Sequence, residues 1–312
     1  MIYVVDFENA EIDVDGGRLL VRADGQRRAT LPMKQMERLI TVSSSEITSR
    51  CLAALAKEGV GLLSLGGRFG REPVHILPNH GDASKRLAQA RMADSECTRA
   101  IYGRKLLCAK LGASLEFLKV VEPNKTVRQA SAQITAAMQR IQTSSHAIES
   151  LRGIEGAAAA AFFEAYQTLF LSRFGFNVRN RRPPTDPVNA CLSLGYTLAY
   201  HEALLACVKH GLDASMPGLH DMASGRAALA CDVMEPARAV IEHWVWQRFK
   251  TGRHGIDDFS KDGGVCLLRK PARDDFYRSW AQDEQPKVQA AIETALELYM
   301  ATLSGFREKP KP

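Results

Sequence analysis

Over residues 1–80 apolar positions fall in short runs separated by turn residues; beyond them they recur at helical spacing over much longer stretches. Met1 to Asp6 and Arg38 to Val42 are apolar runs of strand length, Arg18 to Arg22 alternates, and Gly16-Gly17 and Asp24-Gly25 mark hairpin turns. One helix interrupts this region: Ser44 or Ser45 is placed to cap a face of Ile47, Cys51, Leu52 and Leu55 that stops at Gly59. Strands from Val60 to Leu65 and from Val74 to Leu77 follow, joined through Gly66-Gly67-Arg68-Phe69-Gly70. That glycine run lacks the Lys-Ser/Thr ending of a phosphate loop, and Pro73 leaves no room for a following helix, so it reads as a hairpin.

Pro78-Asn79-His80-Gly81-Asp82 breaks the composition, and the domain boundary is expected there. Helical spacing follows from Leu87 to Met92, Cys97 to Leu111, Val127 to Ile141, Ala147 to Leu171, Val188 to Lys209 and Ala237 to Lys250. Val265 to Leu268 is strand-like, Asp275 to Trp280 begins a helix, Lys287 to Leu303 is an amphipathic terminal helix, and Arg307 to Pro312 is a frayed tail. The expectation is an α+β chain of two domains, a small β-rich one over residues 1–80 and a larger, mostly α-helical one over residues 81–312.

At 312 residues and 46% hydrophobic content, each part has enough material to bury a core. The most conspicuous apolar stretch, Gly156 to Phe163, is too short to span a bilayer, and the first residues carry no basic leader, so a cytoplasmic protein with no membrane partner is expected. Seven scattered cysteines, an odd number with no Cys-x-x-Cys, suit buried thiols in a reducing compartment better than disulfides or zinc. A net charge of +6 permits a polyanionic partner without requiring one.

The candidate chemistry lies in the second domain. Glu155 is flanked by Gly153, Gly156 and a run of alanines, a composition that predicts close approach of neighbouring backbone and an acid pointing into a packed place; Phe162 and Tyr166 fall on its helical face. His220 follows the Pro217-Gly218 turn. Asp232 and Glu235, three apart after an apolar run, share a face if the segment is helical. Each has a plainer explanation: Glu155 as a first-turn acid, His220 as an ordinary loop histidine, Asp232 or Glu235 as a helix cap. Taken together, carboxylates and one imidazole make an oxygen-rich set of the kind that holds magnesium or manganese. The proline-stiffened loop Arg179-Asn180-Arg181-Arg182-Pro183-Pro184 presents three guanidinium groups suited to phosphate, or else a solvated charge cluster, and Asp186-Pro187 caps the helix after it. Lys85, Arg86, Arg91, Arg99, Arg104 and Lys105 read as scattered helix-surface charge.

The segments Gly-x-Glu-Gly-x-Ala-Ala around Glu155, Arg-Pro-Pro-x-Asp-Pro-Val-Asn-Ala from Arg182 to Ala190, Gly-Leu-His from Gly218 to His220, and Leu-Ala-x-Asp-x-Met-Glu-Pro-x-Arg from Leu229 to Arg238 occur in the order and at the intervals of one family. Together they resemble the CRISPR-associated adaptation integrase, the Cas-one family, across most of the second domain. The resemblance implies a metal-dependent DNA endonuclease and integrase that inserts short foreign DNA into a CRISPR array. It implies Mg2+ or Mn2+ on Glu155, His220 and Glu235, with Asp232 catalytic or supporting beside them. It implies Tyr166 and the loop Arg179, Arg181 and Arg182 near the DNA strand. The family acts as a homodimer, here through the N-terminal domain, joined to a small ferredoxin-like partner, Cas-two, on double-stranded or branched DNA. A metal-free DNA-binding scaffold and a helical metal-dependent hydrolase of small phosphates are the alternatives.

Overall fold

The computed structural model describes residues 1–65, 73–77, 82–143, 147–180, 183–222 and 226–306. The chain divides into two compact units, Met1–Gly81 and Asp82–Pro312.

The first unit is built on two four-stranded sheets. One contains β1 (Ile2–Val5), β5 (Arg38–Thr41), β7 (Gly61–Ser64) and β8 (Val74–Ile76), with β1 parallel to β5, β5 parallel to β7, and β7 antiparallel to β8. The other has the order β4 (Gln26–Pro32), β3 (Arg18–Ala23), β2 (Ala10–Asp15) and β6 (Ser45–Ile47). The β3–β4 turn places Asp24 at φ 53° and Gly25 at φ 71°, the left-handed pair that a tight hairpin needs. Helix α1 (Ser49–Lys57) buries Cys51 and Leu55 in a core with Val5, Ile12, Leu19, Leu39 and Leu62. The helix begins later than Ser44 or Ser45, because Ser45–Ile47 pairs in parallel with Ala10–Ile12. Thr48 is the cap instead, its side chain accepting from the Cys51 N–H at 3.1 Å. The glycine run 66–70 and most of the 78–82 break lie outside the described residues.

The second unit is helical apart from one hairpin. Its elements are α2 (Ala83–Ala93), α3 (Glu96–Val120), α4 (Lys125–Thr143), α5 (Ile148–Gln167), α6 (Pro187–Lys209), α7 (Ala228–Val233), α8 (Ala237–Lys250), the hairpin β9 (Phe259–Asp262) and β10 (Val265–Leu268), then α9 (Lys270–Ser279) and α10 (Gln285–Leu303). Helix α3 packs against α4, α5, α8 and α10, so its apolar residues point in several directions rather than along one stripe. Helix α6 starts where Asp186 accepts from the Asn189 N–H at 2.9 Å and Pro187 takes the first turn. By length and composition α6 could cross a membrane, but over half of its apolar window is buried, and it packs on α7, α8 and α10. None of the seven cysteines is in a disulfide.

Candidate metal centre

Glu155 stands about two turns into α5, so the first-turn explanation fails. Its surroundings also differ from the expectation of a packed glycine contact, for a Cβ added at Gly153 or Gly156 would meet nothing within 4 Å. The helix turns these glycines outward and buries Ile154, Ala158 and Phe162 instead. Glu155 Oε1 accepts a hydrogen bond from Nζ of Lys110 on α3.

Glu235 lies in the turn between α7 and α8 and is 4% exposed. It caps nothing: the residue before α8 is Pro236, with no side-chain cap, and Asp232 is still inside α7. Glu235 Oε1 accepts from Arg238 Nε at 3.0 Å. Its Oε2 lies 2.5 Å from Lys110 Nζ, a close ion pair. One ammonium thus sits against two carboxylates that come from different parts of the chain. Burial works to raise the Glu235 carboxyl, but Arg238 and Lys110 outweigh it and hold it well below the usual carboxylate range. Burial likewise works against the Lys110 ammonium, and Glu235 and Glu155 reverse that and raise it.

His220 is held beside this pair by Asp232. Asp232 is 0% exposed and accepts from the Leu219 N–H at 2.8 Å, the His220 N–H at 3.1 Å, and pairs with the ring at Nδ1 at 2.5 Å. Burial raises the Asp232 carboxyl, and the histidine contacts oppose that. A carboxylate on Nδ1 fixes the ring and leaves Nε2 as the lone-pair nitrogen, the arrangement by which proteins orient a metal-ligating histidine. Gly218 is required beneath it, since a Cβ there would press on Asp232 Oδ2 and lie 2.6 Å from Tyr102 Cε1. The loop is clamped from two helices. Arg99 of α3 donates to Gly218 O at 2.8 Å and Asp221 Oδ1 at 2.6 Å, and Arg152 of α5 donates to Leu219 O at 2.5 Å and Asp221 Oδ2 at 2.6 Å. These guanidinium bonds, from Arg152 first and then Arg99, hold the Asp221 carboxyl well below its ordinary range. Arg152 is one turn from Glu155 on α5, so the clamp ties the histidine loop to the helix that carries the acid.

Among the described residues no three His, Cys, Asp or Glu side chains stand together as a ready metal cluster. The donor chemistry nonetheless fits a divalent ion. Two carboxylates already hold one cation, and the neighbouring imidazole is fixed through Nδ1 and near enough for its charge to act on Glu235.

The structure places Tyr166 in the core rather than on a surface that a strand could reach. It is 0% exposed, its hydroxyl donates to Glu242 O at 2.8 Å, and its ring packs edge-on to Phe117, Phe170 and Phe176. Eleven residues from Glu155 its side chain follows the apolar stripe into the core. Arg179 is engaged within the protein: it donates to Asn189 Oδ1 at 2.8 Å and Ser193 Oγ at 3.3 Å, and lies over the Tyr196 ring at 5.3 Å. Arg181 and Arg182 are outside the described residues. By sequence Arg99 was placed among scattered helix-surface charge, and Lys110, Arg152 and Arg238 were not singled out. Only Arg238, three residues from Glu235 and inside the same motif, carried a local signal.

The family model for CRISPR associated protein Cas1 matches residues 3–282. The chain belongs to the Cas1 family. A CRISPR-associated endonuclease Cas1 of Thermodesulfovibrio yellowstonii is 32% identical over 292 residues, covering 90% of this chain and 91% of the relative. The solved structure of a Cas1 protein from Thermotoga maritima superposes with TM-score 0.86 at 18% identity, covering 99% of both chains. A chain of a Cas6-RT-Cas1–Cas2 complex superposes with TM-score 0.82 at 21% identity, covering all of this chain and 36% of that one. At such identities the two structures establish the Cas1 fold, a strand-rich N-terminal unit followed by a helical one. The four motifs that carry the resemblance all lie within the matched span, and three of them supply the clasped site: Glu155, His220, and Asp232 with Glu235.

Proposed function

We propose that this Cas1-family protein is the metal-dependent DNA endonuclease and integrase of CRISPR adaptation, holding Mg2+ or Mn2+ on Glu155, His220 and Glu235. The observation that carries the reading is the convergence of Glu155 and Glu235 on one cation, Lys110, beside an imidazole locked by Asp232. Bound there, the ion would activate a water or a DNA 3′-hydroxyl and offset the charge that grows on the phosphate. Hydrolysis and strand joining then differ only in the nucleophile.

The protein's own groups have separate tasks. Glu155 supplies negative charge from α5 and Glu235 from the buried turn between α7 and α8, so the ligand spacing is set by packing. Asp232 fixes the His220 ring through Nδ1, which leaves Nε2 as the nitrogen to ligate, and Arg99 and Arg152 keep its loop in place. Arg238 remains on Glu235 Oε1 and limits that carboxylate to one ligating oxygen. Arg181 and Arg182 follow the anchored Arg179 and contact strand phosphates. The protein works in the cytoplasm as a homodimer through its N-terminal unit, with a small ferredoxin-like Cas2 partner, on branched or double-stranded DNA.

Incubation with branched DNA and Mn2+ or Mg2+, with and without chelator, tests this. Metal-dependent cleavage and joining are expected. DNA binding that survives chelator with no strand transfer would instead make the protein a scaffold. Turnover of small phosphates with no DNA affinity would make it a hydrolase.

A further inference from the structure

Lys110 is the one member of the cluster to which the metal reading gives no task. It is a mostly buried lysine on α3, with a side chain 15% exposed, reaching between Glu155 of α5 and Glu235 of the α7–α8 turn. A cation of one charge cannot share that space with a divalent ion: the same two carboxylates would have to hold both, at ion-contact distance. Lys110 also lines a cavity of about 40 Å3 with Ser114, Ala158, Phe162, Arg238 and Glu242. That volume admits a displaced ammonium or a few water positions. Glu242, a carboxylic residue distinct from the two that hold Lys110, lines this cavity; it is 3% exposed, bonded by the Tyr196 hydroxyl at 2.5 Å and not a candidate ligand. The lysine therefore has one anionic position that it occupies and, within the space beside it, a further carboxyl group, which burial raises while the Tyr196 hydroxyl, Arg238 and Lys110 favour its charged form.

We propose that Lys110 is a built-in placeholder cation of the metal centre, which holds Glu155 and Glu235 together when no ion is bound and withdraws into the adjoining cavity, towards Glu242, when a divalent ion takes its place. Without it, two carboxylates facing one another would separate or one would take up a proton, and the ligand spacing would be lost between turnovers. With it, the site is kept ready at the expense of affinity, because each ion that binds must displace the ammonium. Lys110 is thus a positioning residue, and Glu242 acts through it.

The inference rests on the metal reading above, and the experiment separates the two. Mn2+ affinity of the full-length chain is measured by titration followed by electron paramagnetic resonance of the free ion, without DNA. Wild type is compared with Lys110→Met, Lys110→Arg, Glu242→Gln and the double variant Lys110→Met/Glu242→Gln. Lys110→Met is expected to bind Mn2+ about five- to tenfold more tightly, since nothing has to be displaced, the range of a modest coupling between two sites. Its melting temperature without metal should fall, and the gain in melting temperature on adding Mn2+ should exceed that of wild type. Lys110→Arg, whose guanidinium can span both carboxylates, should bind Mn2+ more weakly; this arm carries the test if Lys110→Met does not fold. Glu242→Gln should weaken Mn2+ binding in wild type and leave it unchanged in the Lys110→Met background. Affinity that is unchanged or weaker in Lys110→Met, or wild-type affinity in Lys110→Arg, overturns the placeholder role. An equal effect of Glu242→Gln in both backgrounds overturns the withdrawal towards Glu242. Mn2+ binding by neither wild type nor any variant overturns the metal centre itself.

Discussion

Asp232 Oδ1 lies 2.5 Å from His220 Nδ1, and the same carboxylate receives the backbone N–H groups of Leu219 and His220. A buried carboxylate that receives three donors from one loop is committed largely to holding that loop. The pairing therefore assigns the two acids of the Asp232–Glu235 segment to different tasks. In the metal reading proposed above, Asp232 orients the imidazole, and Glu235, paired with Lys110, would be the ligand.

Asp232→Asn is expected to weaken Mn2+ binding by about ten- to a hundredfold, as loss of a carboxylate behind a metal-ligating histidine typically does, while the protein stays folded. The amide can still accept from the loop N–H groups but cannot set the ring tautomer as a charge does. Calorimetric Mn2+ titration beside far-ultraviolet circular dichroism reads both effects. An affinity equal to wild type would remove Asp232 from the support of His220.

Glu155→Gln, His220→Ala and Glu235→Gln should each abolish metal-dependent cleavage and joining while DNA binding persists, because affinity for DNA comes from phosphate contacts. Truncation to alanine separates the two carboxylates by stability. Glu235→Ala strands the partly buried Lys110 and Arg238 and should cost about 3 kcal/mol, the lower end for breaking a buried pair. The side chain of Glu155 is 25% exposed, and Lys110 keeps Glu235 when it is removed, so Glu155→Ala should cost about 1 kcal/mol or less. Urea unfolding of the metal-free variants measures the difference, and equal losses would contradict this division.

Gly218→Ala tests the space beneath the histidine loop. A Cβ there presses on Asp232 Oδ2 and the Tyr102 ring, both held in the core, so about 1–3 kcal/mol of overpacking is expected. Mn2+ affinity should fall with it, since Asp232 cannot shift without turning His220. A variant as stable and as metal-competent as wild type would show that the loop has slack.

The elements that were legible in the sequence were those whose signals are local. Asp186-Pro187 capped α6 as its spacing says, and Asp24-Gly25 turned β3 into β4. The α1 boundary was misplaced because Ser45–Ile47 pairs with β2, a partner some thirty-five residues away that no local pattern reports. The acids and the histidine of the site stood out because charge in an apolar stretch is visible in one dimension. Their counter-charges did not. Lys110 and Arg99 look like ordinary charge on a long helix, and only tertiary packing brings α3 against α5 and the loop at His220. The burial of Tyr166 was not legible for the converse reason, since helical spacing shares a face between residues without saying which end of the face reaches solvent.

Acid stability should report His254, which lies outside the metal centre. It is 1% exposed and accepts from Arg248 Nε at 2.8 Å. Burial, with the Arg248 charge, lowers its imidazole to about 4. The unfolded chain's imidazole takes a proton near pH 6.5. Between those values the unfolded state binds more protons, so stability is full above about pH 6.5 and falls as pH drops towards 4. The loss reaches at most about 3 kcal/mol. His254→Gln, which keeps an acceptor for Arg248, should flatten that part of the curve in urea unfolding across pH, and an unchanged slope would exclude His254 as its source.

The arginine loop provides a test in which its three members should behave differently. Arg179 is spent on Asn189, Ser193 and the Tyr196 ring, contacts that fix the start of α6. Arg179→Gln should therefore lower the melting temperature and leave the dependence of log DNA affinity on log salt unchanged. Arg181 and Arg182 are the members assigned to phosphate, and each contact contributes about 0.7–0.9 to that slope. Their joint replacement by Gln should flatten it by up to about 1.4–1.8 units and lower affinity for every sequence by a similar factor, since phosphate contacts carry no base information. Binding of a branched duplex across a salt series decides between the two classes. A slope lost with Arg179 and kept without Arg181 and Arg182 would mean that Arg179 leaves its intramolecular partners to hold the strand, and that the anchor of α6 must be sought in Asp186 and Asn189 alone.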